Sequence, residues 1–383
     1  MIADVRRTRA GLFAAFAGLG VTASFVPAVL PTAERDVDSD LSVAVPALFA
    51  GLLLGVLLSG ALLRARPGRQ VLMAGSALQA LAIGGGASAT NAGIFIAAAA
   101  LAGLGFGLVE ASGSIAAKAA VSGSATGLLS ALTGTVAVCA AATPLLIAAG
   151  TGMPAALSAL AVIPVVAIVL LIRAPDAAPA VRVSKPGGRI LLRLLPFALA
   201  LPLYVGVETV ISGWSAVIPA RALALDPGAA ALGTSAFWAL MAIGRFGAAA
   251  LRTRGIRPGL ILWISSLGAA TLLGCAGALI APAPGWALVP LAGSVIALAP
   301  SYGLVLGLAL DRLSTAQSTA ATGALVASGA VGGTMIPTSL LLAGHSPASG
   351  VTFAASAVLC LLVPALTALG RRRASGTVMA SQK

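Results

Sequence analysis

Two glutamates stand in stretches where nearly every neighbour is apolar. Glu208 lies in "LPLYVGVETVISGWSAVIP" (201–219) and Glu110 in "GLGFGLVEASGS" (103–114). Loss of water favours the neutral form of a carboxyl group, which is the condition for binding and releasing a proton near neutrality. The neighbours of Glu208 add a second capacity. On a helix, Tyr204, Glu208, Ser212 and Ser215 follow i, i+4, i+8 and i+11 spacing, so one face of an apolar rod would carry a phenol, a carboxyl and two hydroxyls. A helix lining a wet cavity would show such a stripe, and there a solute hydroxyl or cation could compete with a proton for the same oxygens. The alternative for either glutamate is a permanently protonated side chain that hydrogen-bonds a neighbouring helix.

Further polar and aromatic residues fall inside apolar runs. Gln79 could bind a solute or bond between helices. Trp214 could stack on a ring or belong to an interfacial aromatic belt. Pro300, Ser301 and Tyr302 interrupt a helix halfway; the proline frees a carbonyl and kinks the rod, and Tyr302 becomes a binding candidate. Arg245, at the end of "FWALMAIGRF", reads as a gate residue or a helix-end side chain reaching for the membrane surface, and Lys118 as an interfacial lysine. Other chemistry is absent. The single histidine, His345, excludes a His cluster; Cys139, Cys275 and Cys360 have neither zinc nor disulfide spacing; no phosphate-binding loop or nucleophile elbow occurs. No cofactor, no metal and no enzyme activity are expected, so any work done must draw on a gradient rather than on ATP.

The elements that must position these residues follow from composition. Of 383 residues 59% are hydrophobic and 9% charged, whereas a soluble domain has about a quarter charged. A helix needs about 20 mainly apolar residues to cross a bilayer. Twelve windows meet this, near 10–31, 41–63, 70–89, 93–115, 124–149, 154–172, 190–213, 228–250, 258–281, 285–310, 316–343 and 347–369. The fold class is therefore all-α and integral to the membrane. With the N-terminus cytoplasmic, Arg6, Arg7, Arg9, Arg64, Arg66, Arg69, Lys118, the cations of the 173–189 linker, Arg252, Arg254, Arg257 and Arg371 to Arg373 all fall inside, and only Arg35 and Arg221 outside. This bias predicts that both termini are cytoplasmic and the membrane is the cytoplasmic one. The formal charge of +13 is scattered over helix ends, which excludes a nucleic-acid face and makes membrane lipids the neighbours.

An internal repeat sets the architecture. At an offset of 188 residues, "ALLRARPGR" (61–69) superposes on "AALRTRGIR" (249–257), matching Arg64 with Arg252, Arg66 with Arg254 and Arg69 with Arg257. The same offset lays "FAGLGVTASFVPAVLP" (16–31) on "YVGVETVISGWSAVIP" (204–219). Two six-helix halves in parallel orientation are expected, 1–172 and 190–383, joined by a cytoplasmic linker over 173–189.

With these features the chain resembles the major facilitator superfamily over nearly its whole length. The loop after the second helix is similar to that superfamily's Gly-x-x-x-Asp-Arg-x-Gly-Arg motif through Gly60, Gly68 and Arg69, with Arg64 or Ala65 where the motif has Asp. Within the superfamily, "YVGVETVISGW", the Ile-Gly-Arg segment of "FWALMAIGRF" and the Gly-rich "GLGFGLVEASGS" resemble the fucose-permease-like branch of proton–sugar symporters. The first helix lacks that branch's Asp, and Gly113 or Ser114 replaces its Asn. The resemblance implies a monomeric secondary transporter working by alternating access, with Glu110 and Glu208 coupling to protons. Tyr204, Glu208, Ser212, Trp214, Gln79 and Tyr302 would bind the solute, and Arg64, Arg69, Arg245 and Arg252 would gate. A sugar-like solute leads; a proton-driven exporter of lipophilic or antibiotic-like compounds is the alternative.

Overall fold

The computed structural model describes residues 2–119, 126–149, 153–174, 188–311, 313 and 315–380. Most of the 173–189 linker lies outside them. The described residues form helices joined by turns: α1 (Ile2–Val37), α2 (Ala44–Ala65), α3 (Gly68–Ala87), α4 (Ala92–Ala119), α5 (Thr126–Ala148), α6 (Met153–Ile172), α7 (Gly188–Gly213), α8 (Val217–Leu223), α9 (Pro227–Thr253), α10 (Pro258–Leu279), α11 (Pro284–Leu298), α12 (Ser301–Leu310), α13 (Thr315–Leu342) and α14 (Gly350–Ala380). Among the described residues, twelve stretches are long and apolar enough to cross a membrane, with α11 and α12 together forming one. The chain is a multi-pass membrane protein.

Local chemistry sets the boundaries. Asn91 Oδ1 accepts from the Ile94 amide at the start of α4, and Asp226 Oδ1 accepts from the amides of Gly228 and Ala229 at the start of α9. These side chains take up donors that a helix N-terminus leaves free. Pro258 and Pro284 open α10 and α11, where a missing N–H costs nothing. The expected break in the tenth span falls at Ala299–Pro300, between α11 and α12. A second break was not foreseen. The seventh span stops at Gly213 and turns through Trp214–Ala216 before the short α8.

The helix order repeats as the sequence predicts. α2 and α9 end at Ala65 and Thr253, 188 residues apart. Burial repeats with it. The most enclosed windows are the first span, with 78% of its residues buried, and the seventh, with 61%; the fourth and tenth follow at 50% each. The other eight turn most of their surface outward, and Leu57, Leu81, Val138, Phe246 and Leu342 are exposed as lipid-facing side chains would be.

Two compact units result. The first comprises Met1–Arg182 with Gly213–Ala220 and Ala224–Trp238; the second comprises Val183–Ser212, Arg221–Leu223 and Ala239–Lys383. Within the first unit, α2 and α4 cross with almost nothing between their backbones. A Cβ added at Gly103 would lie 2.8 Å from the Leu48 carbonyl carbon and the Leu52 amide, and nearer still to the Leu48 oxygen. Gly51 faces Ala100, Gly55 faces Leu104 and Gly107 faces Leu52 in the same way. Paired Gly-x-x-x-Gly sequences on both helices make this approach possible. α1 docks on α5 through Gly20 and a hydrogen bond from the Ser24 hydroxyl to the Ala140 carbonyl (2.7 Å). The core of this unit gathers Leu12, Phe16, Leu19, Leu72, Val109 and Leu171. In the second unit, α7 packs on α13 where Gly206 meets Ile336 and Gly332 meets Pro202, and Gly244 of α9 meets Ile296 of α11.

Candidate solute and proton site

The second unit brings a charged pair and both tyrosines of the chain together. Glu208 Oε1 of α7 lies 3.6 Å from Arg245 Nη2 of α9, with side-chain exposures of 19% and 47%. Charge-assisted N–H···O bonds run about 2.7–2.9 Å, so this is an ion pair in contact without a formed hydrogen bond. One turn before Glu208, Tyr204 is buried, and its ring centroid lies 6.1 Å from that of Tyr302 on α12. The sequence holds only these two tyrosines, and the second follows directly on the break at Pro300.

The cluster carries unused hydrogen-bonding capacity. The buried hydroxyls of Tyr204, Thr209 and Ser301 have no hydrogen-bond partner among the described residues. An unmade bond at a buried hydroxyl costs about 1–3 kcal/mol. Tyr204 lies one turn before Glu208 on α7, Thr209 follows Glu208 in the chain, and Ser301 precedes Tyr302. Among the described residues no group of three or more His, Cys, Asp or Glu could hold a metal ion.

The structure distributes the sequence-derived residues unevenly. Tyr204, Glu208, Tyr302 and Arg245 come together. The polar stripe on α7 is shorter than predicted, because the helix ends at Gly213; Ser212 stays on it, but Ser215 sits in the turn and shares a 2.8 Å hydrogen bond with Thr234. Trp214 sits in the same turn. It is fully buried in the first unit and its indole N–H donates to the Ser42 carbonyl at 3.2 Å, so its ring faces protein rather than a solute. Arg245 does not end its helix. α9 continues two turns to Thr253, which puts the guanidinium inside the span.

In the first unit, Glu110 is half-buried on α4 and makes no hydrogen bond or ion pair with a described residue. Beyond it, Gly113 packs on Phe16 of α1, where an added Cβ would meet the ring at 2.7 Å. Gln79 is completely enclosed; a Cβ on Gly18 would come within 3.0 Å of its Oε1, and Gly105 of α4 presses on its other side. Among the described residues both polar atoms of its amide lack a hydrogen-bond partner, as does the Ser76 hydroxyl one turn earlier. Arg69 ties the α2–α3 loop to the end of α6, donating from Nη1 to the carbonyls of Ile172 (2.9 Å) and Ala174 (2.8 Å). Arg64 and Arg252 are exposed at the ends of α2 and α9.

Sequence reasoning placed Glu208 and Arg245 in adjacent helices without pairing them. The signal was available. An arginine inside an apolar span needs a counter-charge, and Glu208 is the only carboxylate within the spans of the second half.

No protein-family model matches the sequence, and no curated protein does. Solved structures are another matter. A D-xylose–proton symporter superposes with a TM-score of 0.71 at 16% identity, over 94% of this chain and 96% of its own. The fold is that of the major facilitator transporters. The bacterial homologue of the human lysosomal transporter Spinster, solved inward-facing and unoccupied, gives 0.73 at 12% identity over 96% and 97% of the two chains. The E. coli fucose:proton symporter gives 0.62 at 16% identity over 94% and 98%. At these identities the likeness extends to the helical framework and not to side chains.

Proposed function

We propose that the chain is a proton-coupled secondary transporter that moves a small, sugar-like organic solute across the cytoplasmic membrane by alternating access. The observation that carries this reading is the Glu208–Arg245 contact inside two apolar spans, bordered by Tyr204 and Tyr302. A charged pair inside apolar spans costs free energy, and such pairs are kept where function requires them. A proton arriving at Glu208 cancels the charge facing Arg245, and a bound solute can then occupy the donors left open by the half-exposed Arg245. Release of the solute restores the ion pair and returns the proton. Binding and proton uptake thus depend on the same atoms, which is the requirement for coupling. Glu110 is the second coupling candidate; with no partner to lose, it takes up a proton without breaking an ion pair.

Other parts of the reading rest on the sequence. The positive-inside bias supports two cytoplasmic termini, and nothing in the chain calls for a second copy, so the working unit is a monomer. Arg69 holds the α2–α3 loop against α6 and serves the gate from there, while Arg64 and Arg252 keep their side chains at the membrane surface.

The test uses proteoliposomes with an imposed pH gradient and radiolabelled solutes. Wild type accumulates solute above the outside concentration, and Glu208→Gln exchanges it without accumulating it. Accumulation by Glu208→Gln equal to wild type would remove Glu208 from the coupling.

A further inference from the structure

The spans of the second unit hold one negative side chain, Glu208, and the arginine that faces it, Arg245, uses little of its bonding capacity. Arginine offers five N–H donors in a planar fork and stays charged at any physiological pH. Among the described residues Arg245 makes one ion pair, the 3.6 Å approach to Glu208, and no hydrogen bond. Its side chain is nearly half exposed although it lies within α9, two turns from the helix end. The titratable groups beside Glu208 are Arg245 from α9, Tyr204 from α7 itself and Tyr302 from α12; α13, which packs on α7 at Gly206, contains no titratable residue in its whole length.

Charge accounting across one proton uptake then decides the solute class. While Glu208 is ionised the pair is neutral. Once it takes a proton, Arg245 is left as a lone cation, and a neutral sugar offers hydroxyl oxygens but no negative charge. A carboxylate offers both, in the two-oxygen planar geometry that a guanidinium fork fits. Resting on the transporter reading above, we propose that the solute carries a carboxylate, which replaces the carboxylate of Glu208 on Arg245 when Glu208 is protonated. One proton and one monoanion cross together, so the cycle moves no net charge. The half-buried ring of Tyr302, beside Tyr204, suits a hydroxylated, ring-bearing body, that is, a sugar acid.

The experiment compares D-glucuronate and D-galacturonate with D-glucose and L-fucose in proteoliposomes under an inward proton gradient. Label uptake and membrane current are recorded for wild type, Arg245→Gln, Arg245→Lys and the charge-free double variant Glu208→Gln/Arg245→Gln. Expected is accumulation of an acid sugar without net current, at least a 10-fold loss of that uptake in Arg245→Gln and a partial loss in Arg245→Lys. The double variant, which leaves no lone charge behind, folds as wild type does and fails to accumulate the acid. Proton-driven accumulation of a neutral hexose with inward current, unchanged in Arg245→Gln, would overturn the carboxylate and leave the transporter reading standing. Absence of proton-driven movement of all four sugars by well-folded wild type would count against both.

Discussion

Removing either member of the Glu208–Arg245 pair should have unequal consequences. At 3.6 Å and an effective dielectric constant of about 20, two unit charges attract by about 4.6 kcal/mol. The guanidinium is 47% exposed, so that figure is far above what survives screening; exposed pairs are worth about 0–1 kcal/mol and breaking buried ones costs about 3–5. A coupling of about 1.5 kcal/mol is expected. The asymmetry comes from proton chemistry. Arg245→Gln leaves a carboxylate that can neutralise itself by taking a proton, whereas Glu208→Gln leaves a cation that cannot lose one. Glu208→Gln should therefore destabilise the protein more than Arg245→Gln, and the double variant should be more stable than the sum of the singles implies. The assay is a double-mutant cycle on unfolding free energy in mixed micelles. Additive single effects, within about 0.5 kcal/mol, or a larger loss in Arg245→Gln than in Glu208→Gln, would refute this account of the pair.

Three other substitutions probe separate parts of the structure. Gly103→Val places carbon where the α2 backbone already lies, and should cost about 3 kcal/mol or more and reduce the yield of monodisperse protein in detergent. Trp214→Phe removes the hydrogen bond to the Ser42 carbonyl, costing about 1 kcal/mol in thermal stability while leaving solute affinity within about twofold by ligand titration. Glu110→Gln breaks no hydrogen bond or ion pair with a described residue, so unfolding should change by less than about 0.5 kcal/mol; vesicle uptake against a gradient should nevertheless fall about 10-fold or more.

The framework was legible because its signals are long and redundant. Apolar windows of about 20 residues located all twelve spans, and one 188-residue offset predicted that α2 and α9 end at equivalent places. The site was only partly legible. Helical spacing aligned Tyr204 with Glu208, and the Pro300 kink pointed to Tyr302. Spacing failed at Ser215, and the buried seat of Trp214 was not legible, because nothing local distinguishes a continuous α7 from one that stops at Gly213; the turn is held by contacts from distant sequence, the carbonyl of Ser42 and the hydroxyl of Thr234. Arg245 was misplaced for a related reason. Alanines and a charged arginine mark the last turns of α9, so hydropathy fades before the helix does. Gln79 shows a further limit: polarity in mid-span identified it, but only packing against Gly18 and Gly105 reveals that it is sealed inside a unit.

The seat of Trp214 has an optical consequence. The chain has four tryptophans; Trp263 and Trp286 are 46% and 73% exposed, Trp238 is half-buried, and Trp214 alone is completely enclosed, with its N–H engaged by a backbone carbonyl. Emission from the two outward-facing rings reports the lipid or detergent around them. Any rearrangement that parts the turn after α7 from the start of α2 would wet one indole and shift one component of the spectrum to the red. With the other three replaced by phenylalanine, this chain would carry a native fluorophore whose colour follows the opening and closing of that contact, without a label and on the timescale of the motion itself.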